Sequence, residues 1–218
     1  MTLADELTAA AVLAAAPCYP VPPSGRSPAI DALRAAPAGQ GLAIGRDGVM
    51  LILRRPWLEV DVPVTPPIRA YLPYGSIGEP RAVLRCGLIP AAMLGSIIDH
   101  LRVALPDEAG AFVTWDENTR EFAVAFPEID AATPSRLIYR TPILAAGQHL
   151  VCDIHSHGSA AAFFSATDDA DDMHSTKIAL VFGNLDARDG PTIASRLCAG
   201  GMFLPMPLIP FAGDHHAA

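Results

Sequence analysis

The stretch "HLVCDIHSHGSAAAFFSATDDADDMHSTKIALVFG" (residues 149–183) decides how the second half of the chain is read. It opens with "HLVCDIHSHG", a short apolar run that ends on two histidines, and it closes with "TKIALVFG", an apolar run bounded by a glycine. Runs of this length and composition predict strands, the second of them fully buried. Between them, "DDADDMHST" predicts a helix opening, because Ser, Thr and Asp cap helices and aspartate is favoured in the first turn.

Working outward, "AAMLGSIIDHLRVAL" (residues 91–105) follows Pro90, a residue suited to a first helical turn. Its spacing puts Met93, Ile97, Ile98, Leu101 and Leu105 on one helical face. "GAFVTWDENTREFAVAFP" (residues 110–127) predicts two strands around an Asp-Glu-Asn-Thr turn, and "PTIASRLCAGGMFLPMPL" (residues 191–208) one or two more around Ala199-Gly200-Gly201. The order helix, hairpin, strand, helix, strand, strand implies an α/β fold, a mixed sheet flanked by helices, over residues 89–210. Residues 211–218, with His215 and His216, are expected to be a tail.

The first half reads differently. "GLAIGRDGVMLILRRPWLEVDVPV" (residues 41–64) carries a hairpin signal around Arg-Asp-Gly, and with many of the 21 prolines nearby, residues 29–88 are expected to form an irregular β-rich module. Residues 1–28 are expected to be a short helix, "MTLADELTAAAVLAAAPC", followed by a proline-rich linker, "PCYPVPPSGRSP". Asp5 and Glu6 stand where a signal peptide would be positive.

Composition narrows the function classes. The 218 residues are 51% hydrophobic, enough for a sizeable core without disulfides. Cys18, Cys86, Cys152 and Cys198 form no Cys-x-x-Cys pair, so a zinc ribbon is not indicated and a reducing cytoplasm is the expected location. The net charge of −8, with only 15 Lys and Arg, argues against nucleic acid as partner. No apolar run approaches the ~20 residues that span a bilayer.

On a strand, His155 and His157 project from one face while Ser156 points away. Two imidazoles are part of a zinc site, and Asp168, presented from the next helix, would supply a third donor with Ser165 close by. The residues alone leave a plainer reading open, in which the histidines are ordinary strand residues, Ser165 is an N-cap, and Asp169, Asp171 and Asp172 are a solvated helix face. Phe163 and Phe164 are expected to plug the core rather than line a groove. Cys152 is expected to be structural, and His100, His149 and His174 have no partner spacing.

The pattern HxH-x7-S-x2-D, carried by His155, His157, Ser165 and Asp168, resembles the JAMM signature of the JAB/MPN metalloprotease superfamily, which includes zinc-dependent deubiquitinating isopeptidases. The resemblance implies a JAB/MPN-like, cytidine-deaminase-like fold. It also implies that His155, His157 and Asp168 bind Zn2+ and that Ser165 helps stabilise the tetrahedral intermediate. The family's upstream catalytic glutamate matches Glu108 in "LPDEAGAFV", although Gly110 comes one residue early; Asp107 and Glu79 are the weaker candidates. The acid-rich tail after Asp168 and the long N-terminal module are closest to the A proteins of the PRTRC system, a cassette of bacterial mobile elements. That branch implies a zinc-dependent peptidase or isopeptidase acting on a ubiquitin-like protein, with a ThiF/E1-like protein as a further partner. Two alternatives are a non-catalytic MPN-type scaffold and a DNA-associated JAB protein of the RadC kind. Many deubiquitinating members read HSHP, whereas this chain has Gly158 after the second histidine and Phe164 before Ser165, so substrate preference does not carry over.

Overall fold

The structure, a computed structural model, describes residues 14, 16–66, 72–199, 201–206 and 210–212. The helix expected near the N-terminus and the histidines of the tail lie outside the described residues, apart from the single position 14. The chain divides after Cys86 into two compact units.

In the first unit, β1 (Cys18–Pro20), β2 (Gly39–Gly45), β3 (Gly48–Arg55), β4 (Leu58–Pro63) and β5 (Arg81–Leu84) form one sheet in sequence order. β1 runs parallel to β2 and every other pairing is antiparallel. Helix α1 (Pro28–Ala35) opens with proline, whose fixed φ suits a first turn, and buries Ile30 against Val21, Ala43, Met50 and Ile52. Two expectations are corrected here. The proline-rich segment is not a linker, because Cys18–Pro20 pairs with Leu42–Ile44 and Val21 is buried. An edge strand tolerates prolines that an inner strand would reject. The module is also a regular sheet rather than an irregular one, and it begins before residue 29.

The second unit contains α2 (Ala91–Val103), β6 (Gly110–Asp116), β7 (Phe122–Ala125), β8 (Ile129–Thr133), β9 (Arg136–Tyr139), β10 (Gln148–Ser156), α3 (Ala166–Asp172), β11 (Lys177–Gly183), β12 (Thr192–Ala199) and β13 (Met202–Pro205). Six strands make a mixed sheet in the order β13-β12-β11-β10-β6-β7. Only β10 and β11 pair in parallel, so a crossover must join them, and α3 lies within it. All seven residues of β11 are buried: Ile178 to Gly183 form its apolar run, and Lys177 at its head is paired with Asp153 and Asp172.

Several details differ from expectation. Pro90 is the N-cap of α2, and the buried face is Leu94, Ile97 and Leu101, spaced i, i+3, i+7; Leu105 lies past the helix end. The acidic run is the body of α3, which ends at Asp172, rather than only its opening. β8 and β9 form a separate two-stranded hairpin that was not anticipated. Phe211 is buried and bridges to Ile89, so it belongs to the domain and not to a tail. Among the described residues no helix is long and apolar enough to cross a membrane.

Candidate metal centre

The site is built where β10 ends. β10 is an inner strand, with β6 on one side and β11 on the other, and His155 sits opposite Gly110 and Val181. The chain leaves the sheet at His157, whose backbone N–H donates to the Phe182 carbonyl at 2.8 Å. Gly158 then takes φ +55°, and the returning loop is stitched to the end of β11 by Asn184 N–H to Ala160 O and Leu185 N–H to Gly158 O. Proline, locked near φ −65°, cannot occupy this left-handed position. The difference from HSHP is thus a difference in backbone path.

Ser156, buried between the two histidines, ties this strand end to the segment carrying Glu108. Its Oγ accepts from the Ala109 N–H at 2.9 Å, and its own N–H donates to the Ala109 carbonyl at 2.9 Å. Glu108 N–H donates to Thr133 O of the β8–β9 hairpin at 3.0 Å. The glutamate is therefore held from both sides.

Asp168 comes from α3. Ser165 and Asp168 form a reciprocal capping box: Asp168 Oδ2 accepts from the Ser165 N–H at 2.6 Å and the Ser165 hydroxyl at 2.7 Å, while Ser165 Oγ accepts from the Asp168 N–H. With Oδ2 engaged, Oδ1 lies 3.4 Å from His155 Nε2. The His155 and His157 rings are 5.2 Å apart, and one donor atom from each of His155, His157 and Asp168 lies within 4.8 Å of the other two. His157 Nδ1 is 3.4 Å from the Ala161 carbonyl, a partner that assigns the proton to Nδ1 and leaves Nε2 as the lone-pair nitrogen.

Burial shapes the charges. Glu108 is 8% exposed, and loss of hydration, reinforced by the Asp168 charge, raises its pKa to about 7. Burial also lowers the pKa of His155, outweighing the opposing pull of Asp168, which favours the neutral imidazole that a metal requires. Two imidazole nitrogens and one carboxylate oxygen are donors of the kind that zinc takes. The residues present fit the ion that the sequence pattern implies.

Residues 90–198 match the family of prokaryotic homologs of the JAB domain. The chain belongs to this family. Residues 6–85 match a second family, a domain of unknown function, DUF2016. No curated protein matches the chain. Among solved structures, a JAB1/MPN domain protein from Archaeoglobus fulgidus is 17% identical, with 55% of this chain and 94% of that one covered and a TM-score of 0.35. Protein DSY2949 from Desulfitobacterium hafniense is 18% identical, with 60% and 97% covered and a TM-score of 0.41.

Within this JAB domain, Glu108, His155, His157, Ser165 and Asp168 all line one cleft of about 960 Å³, which β9 of the hairpin also borders. Asp107 does not line it, and Glu79 belongs to the other unit. Two expectations about neighbouring residues are overturned. Phe163 is not a core plug: it is 54% exposed and packs edge-on against His157 at 4.5 Å. Asp169 and Asp172 are not a solvated face, since both pair with Arg196 and Asp172 is buried. Asp171 alone of the three is exposed. Of the other histidines, His100 stacks on Phe126 at 3.8 Å and His149 meets Glu117 at 3.2 Å. Cys152 is buried in β10.

The JAB domain also holds a buried polar network that sequence reading missed. The Tyr139 hydroxyl donates to Asp153 Oδ1 at 2.8 Å, and Lys177 bridges Asp153 and Asp172. Burial alone would depress the Lys177 pKa, but the two carboxylates outweigh it and raise it; Lys177 and Arg196 in turn overcome burial to lower that of Asp172. A signal was present: a lysine at the head of "KIALVFG" and an arginine inside "IASRLCA" are charges in apolar strands, and such charges need partners.

Proposed function

We propose that this JAB domain is a zinc-dependent peptidase or isopeptidase of the JAMM type. The observation that carries the reading is the convergence of His155, His157 and Asp168, from two separate elements, beside a buried Glu108 in the same cleft. His155, His157 and Asp168 would hold the ion, which supplies a Lewis acid able to make water nucleophilic near neutral pH.

The chain's own groups do the rest. Glu108, buried in the same cleft as the three donors, is placed to take a proton from the attacking water and pass it to the leaving amine. The Ser165 hydroxyl, which donates to Asp168, can turn to donate to the developing oxyanion. Phe163 narrows solvent access beside His157.

The substrate proposed is a ubiquitin-like protein encoded in the same mobile-element cassette, processed at its C-terminus or released from an isopeptide bond, with a ThiF/E1-like protein as the other partner and the cytoplasm as the site of action. The support is the sequence pattern and the family membership. Metal analysis of the purified protein tests the enzyme reading: about one zinc per chain is expected, lost in His155→Ala and Asp168→Ala. A folded parent protein without stoichiometric metal overturns it. Glu108→Gln should retain zinc and lose turnover of a cassette ubiquitin-like fusion by at least ~10²-fold; unchanged turnover removes Glu108 from its role.

A further inference from the structure

Asp168 stands on a helix with little capacity to hold itself in place. α3 has seven residues, well short of the ~12–15 at which isolated helices become marginally stable. Four of them, Asp168, Asp169, Asp171 and Asp172, are aspartates, poor helix formers that also repel one another at i, i+3 and i, i+4 spacing. Its one buried residue is Asp172, so no apolar face docks it on the sheet.

Two cations hold α3: of its aspartates, Lys177 pairs with Asp172 alone, and Arg196 of β12 pairs with both Asp169 and Asp172. One terminal nitrogen of the guanidinium donates to Asp169 Oδ1 and the other to Asp172 Oδ2 at 2.7 Å. Its plane is sandwiched between Phe164, immediately before the N-cap, at 3.9 Å and Phe203 of β13 at 4.0 Å. A single side chain thus grips the entrance of α3, its first turn and its last residue. None of these contacts is to His155, His157 or Asp168. The planar fork and the aromatic stacking are what arginine offers and lysine lacks.

We infer that Arg196 is a positioning residue for the metal centre: by keeping α3 docked, it holds Asp168 Oδ1 against the histidine pair and thereby sets the metal affinity of a site it does not touch. This rests on the zinc reading above. The capping box completes the link, since it fixes Asp168 Oδ2 to the helix that Arg196 anchors. Partners one step removed from a metal ligand commonly change affinity by ~10–100-fold.

The test is a matched-charge comparison on the full chain, read by Zn2+ competition with a chelator and by the visible spectrum of the Co2+-loaded protein. Asp169→Asn and Asp171→Asn remove the same charge from the same helix, but only the first takes away an ion pair with Arg196. Asp169→Asn and Arg196→Met should weaken Zn2+ by ~10–100-fold and alter the Co2+ spectrum. Asp171→Asn should stay within ~2-fold, as expected for an exposed charge. Arg196→Lys should recover part of the loss. Folded Asp169→Asn protein with parental Zn2+ affinity and Co2+ spectrum overturns the inference, as does an equal loss in Asp171→Asn. Should Arg196→Met fail to fold, the half-exposed Asp169→Asn decides alone. A parent that binds no Zn2+ overturns the zinc reading itself, a result distinct from a binding parent whose variants match it.

Discussion

The two halves of the proposed metal centre are held by opposite means. His155 and His157 sit at the end of an inner strand, flanked by backbone ladders on both sides. Asp168 and Ser165 sit on a seven-residue helix with no apolar anchor, kept in place by side-chain charges. The placement of the helix half therefore depends on ionised carboxylates, whereas that of the strand half rests on backbone hydrogen bonds. A site assembled this way should lose its carboxylate ligand before it loses its histidines.

Lys177→Met attacks the helix half most severely. It leaves Asp153 and Asp172 buried without their shared cation, a change expected to cost about 3–5 kcal/mol in denaturant unfolding. A loss below ~1 kcal/mol would show that Lys177 does not hold that half. Acid acts on the same network. The folded-state pKa of Asp172 is depressed, so its stabilising contribution is present above the ordinary carboxylate range and lost as pH falls through the lower folded value. Acid titration of the metal-free protein should therefore release α3 before the β10–β11 pairing, as read by amide exchange; simultaneous loss of both would erase the distinction.

Glu108 gives the opposite sign. Its folded pKa of about 7 lies above the unfolded value, so in the metal-free protein its contribution is fully present below about pH 4.5 and lost as pH rises through about 7. Glu108→Gln removes that cost and should stabilise the metal-free protein by up to roughly 3 kcal/mol at pH 8 and by nothing measurable at pH 4. Equal melting temperatures at pH 8 would show that Glu108 is not desolvated in the folded state. Ser156→Ala tests the strand half. It leaves the buried Ala109 N–H without its acceptor, with an expected loss of about 1–3 kcal/mol, a fall in turnover through Glu108, and zinc retained. The smallest effect is expected from Phe163→Ala, whose exposed ring should alter KM with little change in melting temperature.

Legibility followed the range of the interactions. β11 could be read because a strand buried on both faces is apolar along nearly its whole length, and the candidate donors could be singled out because their spacing lies within a short stretch. α1 was hidden by the prolines around it, and the β8–β9 hairpin by strands whose residues are half-buried or exposed and so carry no strong alternation. The Arg196 grip could not be read, because its partners lie 24 and 27 residues away and nothing local selects them. Phe163 was misplaced because hydrophobicity predicts burial only on average, and a cleft wall is where that average fails.

Gly158 carries a consequence for protein engineering. With φ at +55°, it rejects proline outright, and a Cβ added there would approach the Pro106 carbonyl oxygen at 3.1 Å. An HSHP loop cannot be grafted onto this scaffold by a single exchange: the stitches from Asn184 and Leu185 would have to be re-laid at the same time. The two loop styles are separated by a concerted change, and a hybrid carrying only the proline should fail at His157 first.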